Sequence, residues 1–134
     1  MDNSTCASVD LILALLDLAD ELDGQLDEAL APMGLSPALF WLLDHMSEVG
    51  GLDPEADNEA LQRPTAQLEA LLGRLQDADL VERLSPTGPF TVNEQGAATL
   101  RRARQAVRPM ALNFTDATSA SDRRALARIV SALR

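Results

Sequence analysis

The chain has no lysine and no tyrosine, and aromatic residues make up 3% of its 134 positions. A core must therefore come from Leu, Ala, Val and Met. Cys6 is the only cysteine and His45 the only histidine. One cysteine excludes an internal disulfide framework and a cysteine-built zinc centre. One histidine excludes any site needing two imidazoles. Cys6 lies in an acidic stretch, which disfavours a reactive thiolate. Long apolar runs are missing too. The most apolar, the six residues Leu11 to Leu16, sits between Asp10 and Asp17, whereas a spanning helix needs about 20 apolar residues. No basic residue precedes Arg63, so the basic head of a signal peptide is absent and a cytoplasmic location is expected.

What is present is acid. The formal net charge is -10. Residues 1–62 carry 14 acidic and no basic residues, and residues 63–134 carry 7 acidic residues and 11 arginines. The first part should repel nucleic acid; the second need not. Hydrophobic residues at 46% and charged residues at 24% fit one folded domain over 1–134.

Spacing predicts mostly helix. Over residues 8–31, Ile12, Leu15, Ala19, Leu22, Leu26 and Ala29 form a heptad seam. Leu11, Leu13, Leu16 and Leu18 add apolar surface beside it, more than one packing face requires, which suggests either a second subunit or a helix buried on two sides of its own domain. Pro32 to Leu35 breaks this helix. Ser36-Pro37 reads as cap and first residue of a second helix to about residue 49, closed by Gly50-Gly51. Asp53-Pro54 opens a short third helix to about Leu61. A fourth, from about Pro64 to Ala78, puts Leu68, Leu71, Leu72 and Leu75 on one stripe. The period then changes. Leu80 to Leu84 and Phe90 to Val92 read as two strands about a Ser85 to Pro89 turn. Asn93 to Gly96 caps a fifth helix through about Ala111, which Pro109 is expected to kink or end early. A capping-box pattern at Ser119 to Asp122 opens a sixth, with Leu126, Ile129, Val130 and Leu133 apolar.

The expected fold is all-α with a small β-hairpin wing. It is a winged helix-turn-helix over 36–93 between long N- and C-terminal helices, 8–31 and 96–134, that suit dimerisation. Dimer candidates are Ile12, Leu15, Leu22 and Leu26 on the first helix, and Leu126, Ile129, Val130 and Leu133 on the last.

Several segments in this order resemble the MarR family of transcription regulators. Gly34-Leu35-Ser36-Pro37-Ala38-Leu39-Phe40 is similar to the family's approach to its second helix. Arg63 to Leu68, with Leu71 to Leu75, resembles its recognition helix. Leu80-Val81-Glu82-Arg83 resembles the start of its wing, and Val92 to Gly96 the segment after it. The resemblance spans about residues 10–133. It implies a homodimer whose end helices interlock, recognition helices in adjacent major grooves of a palindromic double-stranded DNA operator, and wing arginines on the minor groove or backbone. On that reading Arg63, Thr65, Gln67, Arg74 and Arg83 are DNA-binding candidates. Gln suits adenine and Arg suits guanine. Trp41 and His45 would line a ligand cleft, with packing as the plainer role for both. No cofactor or metal is implied.

The residues depart from the family pattern in ways that bear on DNA binding. Asp57-Asn58 stands in the third helix where the family has an apolar then a small residue. Glu69, Asp77 and Asp79 outnumber Arg74 around the fourth helix. Ser85 to Phe90 is uncharged, so the wing lacks the family's arginine. Asp79 replaces a glycine at a turn, a substitution Asp tolerates. The arginines after residue 100 are expected to offset the acidic first helix or to face water. Two functions stay open: a regulator that binds operator DNA, and an antirepressor that controls another regulator by protein contact through its acidic surface. An enzyme is not expected, because no catalytic constellation, phosphate loop or metal spacing is present.

Overall fold

The computed structural model describes residues 3–117 and, beyond them, 119–121, 124, 127 and 128. Five α-helices and a two-stranded hairpin lie among the described residues. They are α1 (Asn3–Leu30), α2 (Pro37–Val49), α3 (Pro54–Leu61), α4 (Thr65–Asp77), β1 (Val81–Arg83), β2 (Phe90–Val92) and α5 (Glu94–Ala117). Of the expected sixth helix, Ala120, Ser121, Arg124, Ala127 and Arg128 are described and are helical, whereas Leu126, Ile129, Val130 and Leu133 lie outside the described residues.

The breaks fall where local chemistry demands them. A 3-10 turn, Ala31–Met33, carries Pro32 and ends on Gly34 at φ 70°, a left-handed conformation that favours glycine. Ser36 caps α2, its hydroxyl accepting from the Leu39 N–H at 3.2 Å. Asp79 takes up the left-handed conformation that an Asp tolerates, at φ 63°. Pro109 lies inside α5 and does not end it. Its ring removes one N–H from the ladder, and the helix formers around it carry the helix onward.

The core is leucine-rich, as the lack of aromatics requires. Leu42, Leu43 and Met46 of α2 meet Leu68, Leu72 and Leu75 of α4, with Leu30, Leu52, Leu100 and Ala103 around them. β1 and β2 pair antiparallel, Val81 opposite Val92 and Arg83 opposite Phe90. Leu52 and Phe90 exchange backbone hydrogen bonds at 2.9 Å each way, which ties the loop before α3 to the hairpin. A hairpin this short is not stable alone; Val81 and Phe90 anchor it by burying into the core.

Asn93 joins the hairpin to α5. Its side-chain oxygen accepts from the Gly96 N–H at 2.7 Å, and its amide donates to the Asp79 carbonyl at 2.9 Å. Gly96 is required by close approach, since a Cβ there would strike the Leu80 carbonyl oxygen.

The acid at position 57 finds a partner. Asp57 is half-buried, and its carboxylate accepts from the Asp53 N–H at 2.9 Å while the Asp53 carboxylate accepts from the Glu55 N–H at 3.0 Å. This reciprocal cap closes the N-terminus of α3 and satisfies a group that would otherwise be costly to desolvate.

Candidate nucleic-acid interface

α3, α4 and the hairpin form a winged helix-turn-helix. The α4 stripe Leu68, Leu71, Leu72 and Leu75 is buried, so Gln67, Glu69 and Arg74 are left exposed, with Thr65 half-buried at the first turn. Pro64 precedes α4 and no side chain caps it. The Gln67 N–H donates to the Pro64 carbonyl at 3.1 Å, which leaves the Thr65 and Ala66 N–H groups to water or to another acceptor.

The three arginines expected on this face have different fates. Arg74 is exposed. Arg63, in the turn between α3 and α4, lies with its guanidinium 4.3 Å from the centre of the Trp41 ring on α2. Arg83 sits 4.5 Å over the Phe90 ring and donates from Nε to the Gly88 carbonyl at 2.6 Å. Two of the three candidate cations are therefore engaged within the chain.

Trp41 also stacks on His45, ring centres 6.0 Å apart and planes 14° from parallel. The two residues assigned to a ligand cleft thus meet each other, and Trp41 meets a residue assigned to DNA. A cleft of about 370 Å³ adjoins Trp41 but not His45, lined by Trp41, Leu61, Gln62, Arg63 and Gln67.

A second cleft, about 340 Å³, opens between the start of α3, the outer face of α4 and the wing. Asp53, Glu55 and Glu69 line it, with Arg83 as its cation. The capped start of α3 was legible in the sequence, but its position beside the wing was not. That closeness follows from the Leu52–Phe90 pairing, which no sequence spacing signals. The wing itself is uncharged at its turn, and Leu84 is 89% exposed.

α1 lies against α5 and α2. Leu15, Leu22 and Leu26 of its seam are half-buried within the chain, and Leu26 packs on the core. Ile12 is exposed, as are Leu11, Leu13, Leu16 and Leu18. On α5, Arg104 bonds to Asp44 of α2 at 2.6 Å and not to the acidic first helix. No ion pair between α1 and α5 occurs among the described residues.

Solved structures share this arrangement along nearly the full chain. Sco5413, a MarR family transcriptional regulator from Streptomyces coelicolor, matches with TM-score 0.80 and 20% identity, over 96% of this chain and 93% of that one. A mutant MarR from E. coli complexed with operator DNA matches with TM-score 0.78 and 22% identity, over 99% of both chains. The fold is that of the MarR family. The MarR family protein Rv2887 of Mycobacterium tuberculosis is also similar, with TM-score 0.69, 25% identity and 92% of each chain covered. No protein-family model and no curated protein matches the sequence significantly. The MarR fold is therefore carried here by helix order and apolar spacing, with little identity at individual positions. No helix among the described residues is long and apolar enough to cross a membrane.

Proposed function

We propose that this chain is a homodimeric, MarR-type transcription regulator that binds operator DNA through α4. The observation that carries the reading is the match along 99% of both chains to a MarR bound to its operator, combined with an α4 that presents Gln67 and Arg74 outward. Gln67 would read adenine and Arg74 guanine from the major groove. Thr65 and the uncapped first turn of α4 would meet the sugar-phosphate backbone. Pairing of two copies through the exposed apolar stretch of α1 would set the recognition helices about one DNA turn apart. The decisive experiment is fluorescence anisotropy of the protein with its own upstream DNA and with pooled genomic fragments, starting at low salt. Sequence-selective binding supports the reading. Absence of binding at low salt removes it.

A second reading rests on the wing. Its exposed Leu84, uncharged turn and neighbouring Asp53, Glu55 and Glu69 suit a protein partner better than phosphate. In that case the chain acts as an antirepressor, and a regulator co-purifies with it. Reversing charge at Glu55 and Glu69 should then release the partner. A partner retained after that reversal counts against an acidic docking face.

A further inference from the structure

We infer that Trp41 is a positioning residue for the recognition helix: it holds Arg63, and through Arg63 the turn that sets the angle at which α4 leaves α3. The inference rests on the operator-binding reading and adds to it a residue that touches no DNA.

Arg63 stands at a junction. Its backbone N–H donates to the Asn58 carbonyl at 3.1 Å, and Gln62 before it caps α3 in a left-handed conformation at φ 54°. Pro64 after it starts α4 without a side-chain cap. A non-glycine residue at positive φ is disfavoured unless its surroundings hold it. The contact across this turn to α2 is the guanidinium of Arg63 on the indole of Trp41, at 4.3 Å. Both residues are half-buried, so water screens the contact less than at a fully exposed pair. The indole is itself steadied by the stacked ring of His45 one helical turn on. Stack and turn thus connect the rigid middle of α2 to the first residues of α4, where Thr65 and Gln67 lie.

This arrangement gives Arg63 a role distinct from a phosphate contact. A guanidinium on phosphate displaces a counterion, so its loss lowers the salt dependence of binding. A guanidinium held on indole displaces none, so its loss weakens binding at every salt concentration alike. The two roles separate by the slope of log affinity against log salt.

The test compares Trp41→Ala, Trp41→Phe, Arg63→Ala, Arg63→Lys and the double alanine variant, each by operator anisotropy over a range of salt, with thermal unfolding as a check on folding. Trp41→Ala and Arg63→Ala should each weaken binding about two- to five-fold, the equilibrium ratio of one cation–π contact. The double variant should be no weaker than either single one. The salt slope should stay at the wild-type value throughout. Trp41→Phe keeps a ring and should retain most of the affinity; Arg63→Lys keeps charge without the planar stack and should resemble Arg63→Ala. Because Trp41 is the only tryptophan, its emission reports the contact without DNA, and Arg63→Ala should change it.

Wild-type binding in which Arg63→Ala lowers the salt slope, or in which the two alanine effects multiply, overturns the role given to Trp41 and leaves operator binding intact. Unchanged emission in Arg63→Ala overturns the contact itself. Failure of the wild type to bind DNA at low salt overturns the operator reading, and the role of Trp41 falls with it.

Discussion

Arg83 and Phe90 face each other across the hairpin, the guanidinium 4.5 Å from the ring centre, while Arg83 Nε holds the Gly88 carbonyl at 2.6 Å. Arg83, expected to contact DNA from the wing, also holds the wing closed on itself. Arg83→Ala should therefore loosen the hairpin by about 1 kcal/mol, the scale of one hydrogen bond and one cation–π contact. Hydrogen exchange at the Val81 and Val92 amides would report it as faster opening. If operator binding is measured in the same variant, its salt slope should hardly change. A slope reduced by about 1 per subunit would mean that Arg83 leaves Phe90 for phosphate.

Asn93 has two jobs, capping α5 and holding the Asp79 carbonyl. Asn93→Ala removes both and should cost about 1–2 kcal/mol. Asn93→Asp keeps the acceptor for the Gly96 N–H but loses the donor to Asp79, so its stability should fall between the two. Urea unfolding would rank the three proteins. If Asn93→Asp is as unstable as Asn93→Ala, the link to Asp79 dominates and the cap contributes little.

Most of the fold was legible in the sequence because its signals are local. Ser36-Pro37 and Asp53-Pro54 each cap a helix, and the α4 leucine stripe is buried as its spacing requires. The first helix begins earlier than its seam, at Asn3, and α5 runs past Pro109 to Ala117, since helix ends depend on weak local preferences. The functional face was less legible. Arg63, Arg74 and Arg83 look alike as arginines near a recognition helix. What separates them is whether an aromatic ring from another element lies beneath the guanidinium, and Trp41 is 22 residues from Arg63 in the chain. Likewise Asp57 reads as an unpaired acid until its bond to the Asp53 N–H is seen.

Asp57→Ala should weaken the start of α3 by about 1 kcal/mol, as for the loss of a capping contact. Asp57→Asn keeps an oxygen acceptor for the Asp53 N–H and should recover part of that. Both follow from denaturant midpoints at constant slope. Greater stability in Asp57→Ala would mean that relief of repulsion from Asp53 and Glu55 outweighs the cap.

Arg74 is the exposed cation left on α4 once Arg63 and Arg83 are engaged within the chain. On the proposed reading a dimer would bring two copies of it to the operator. At about 0.9 counterions per neutralised phosphate, these give a slope of log affinity against log salt of only about −2. Arg74→Ala should remove most of that slope if the residue lies on phosphate. If it reads guanine, the variant should lose discrimination at that base, worth about 1–3 kcal/mol. Anisotropy with wild-type and substituted operators separates the two. Unaltered affinity, slope and discrimination would take α4 out of the interface.

On the proposed reading, the exposed stretch of α1 would carry the dimer. Leu11, Ile12, Leu13 and Leu16 are each more than half exposed, although apolar residues this close together on one helix are seldom left to water. The core around Leu42, Leu72 and Leu75 contains none of them. Ile12→Asp with Leu16→Asp should therefore dissociate the dimer without unfolding the winged helix. Sedimentation velocity should then give a monomer, and far-UV circular dichroism should keep its helical signal. Operator affinity should drop more steeply than for any single change on α4, because a monomer holds one half-site where the dimer holds two. A double variant that still sediments as a dimer would place the interface elsewhere. The acidic first helix would then be open to other partners, and the antirepressor reading would gain ground over operator binding.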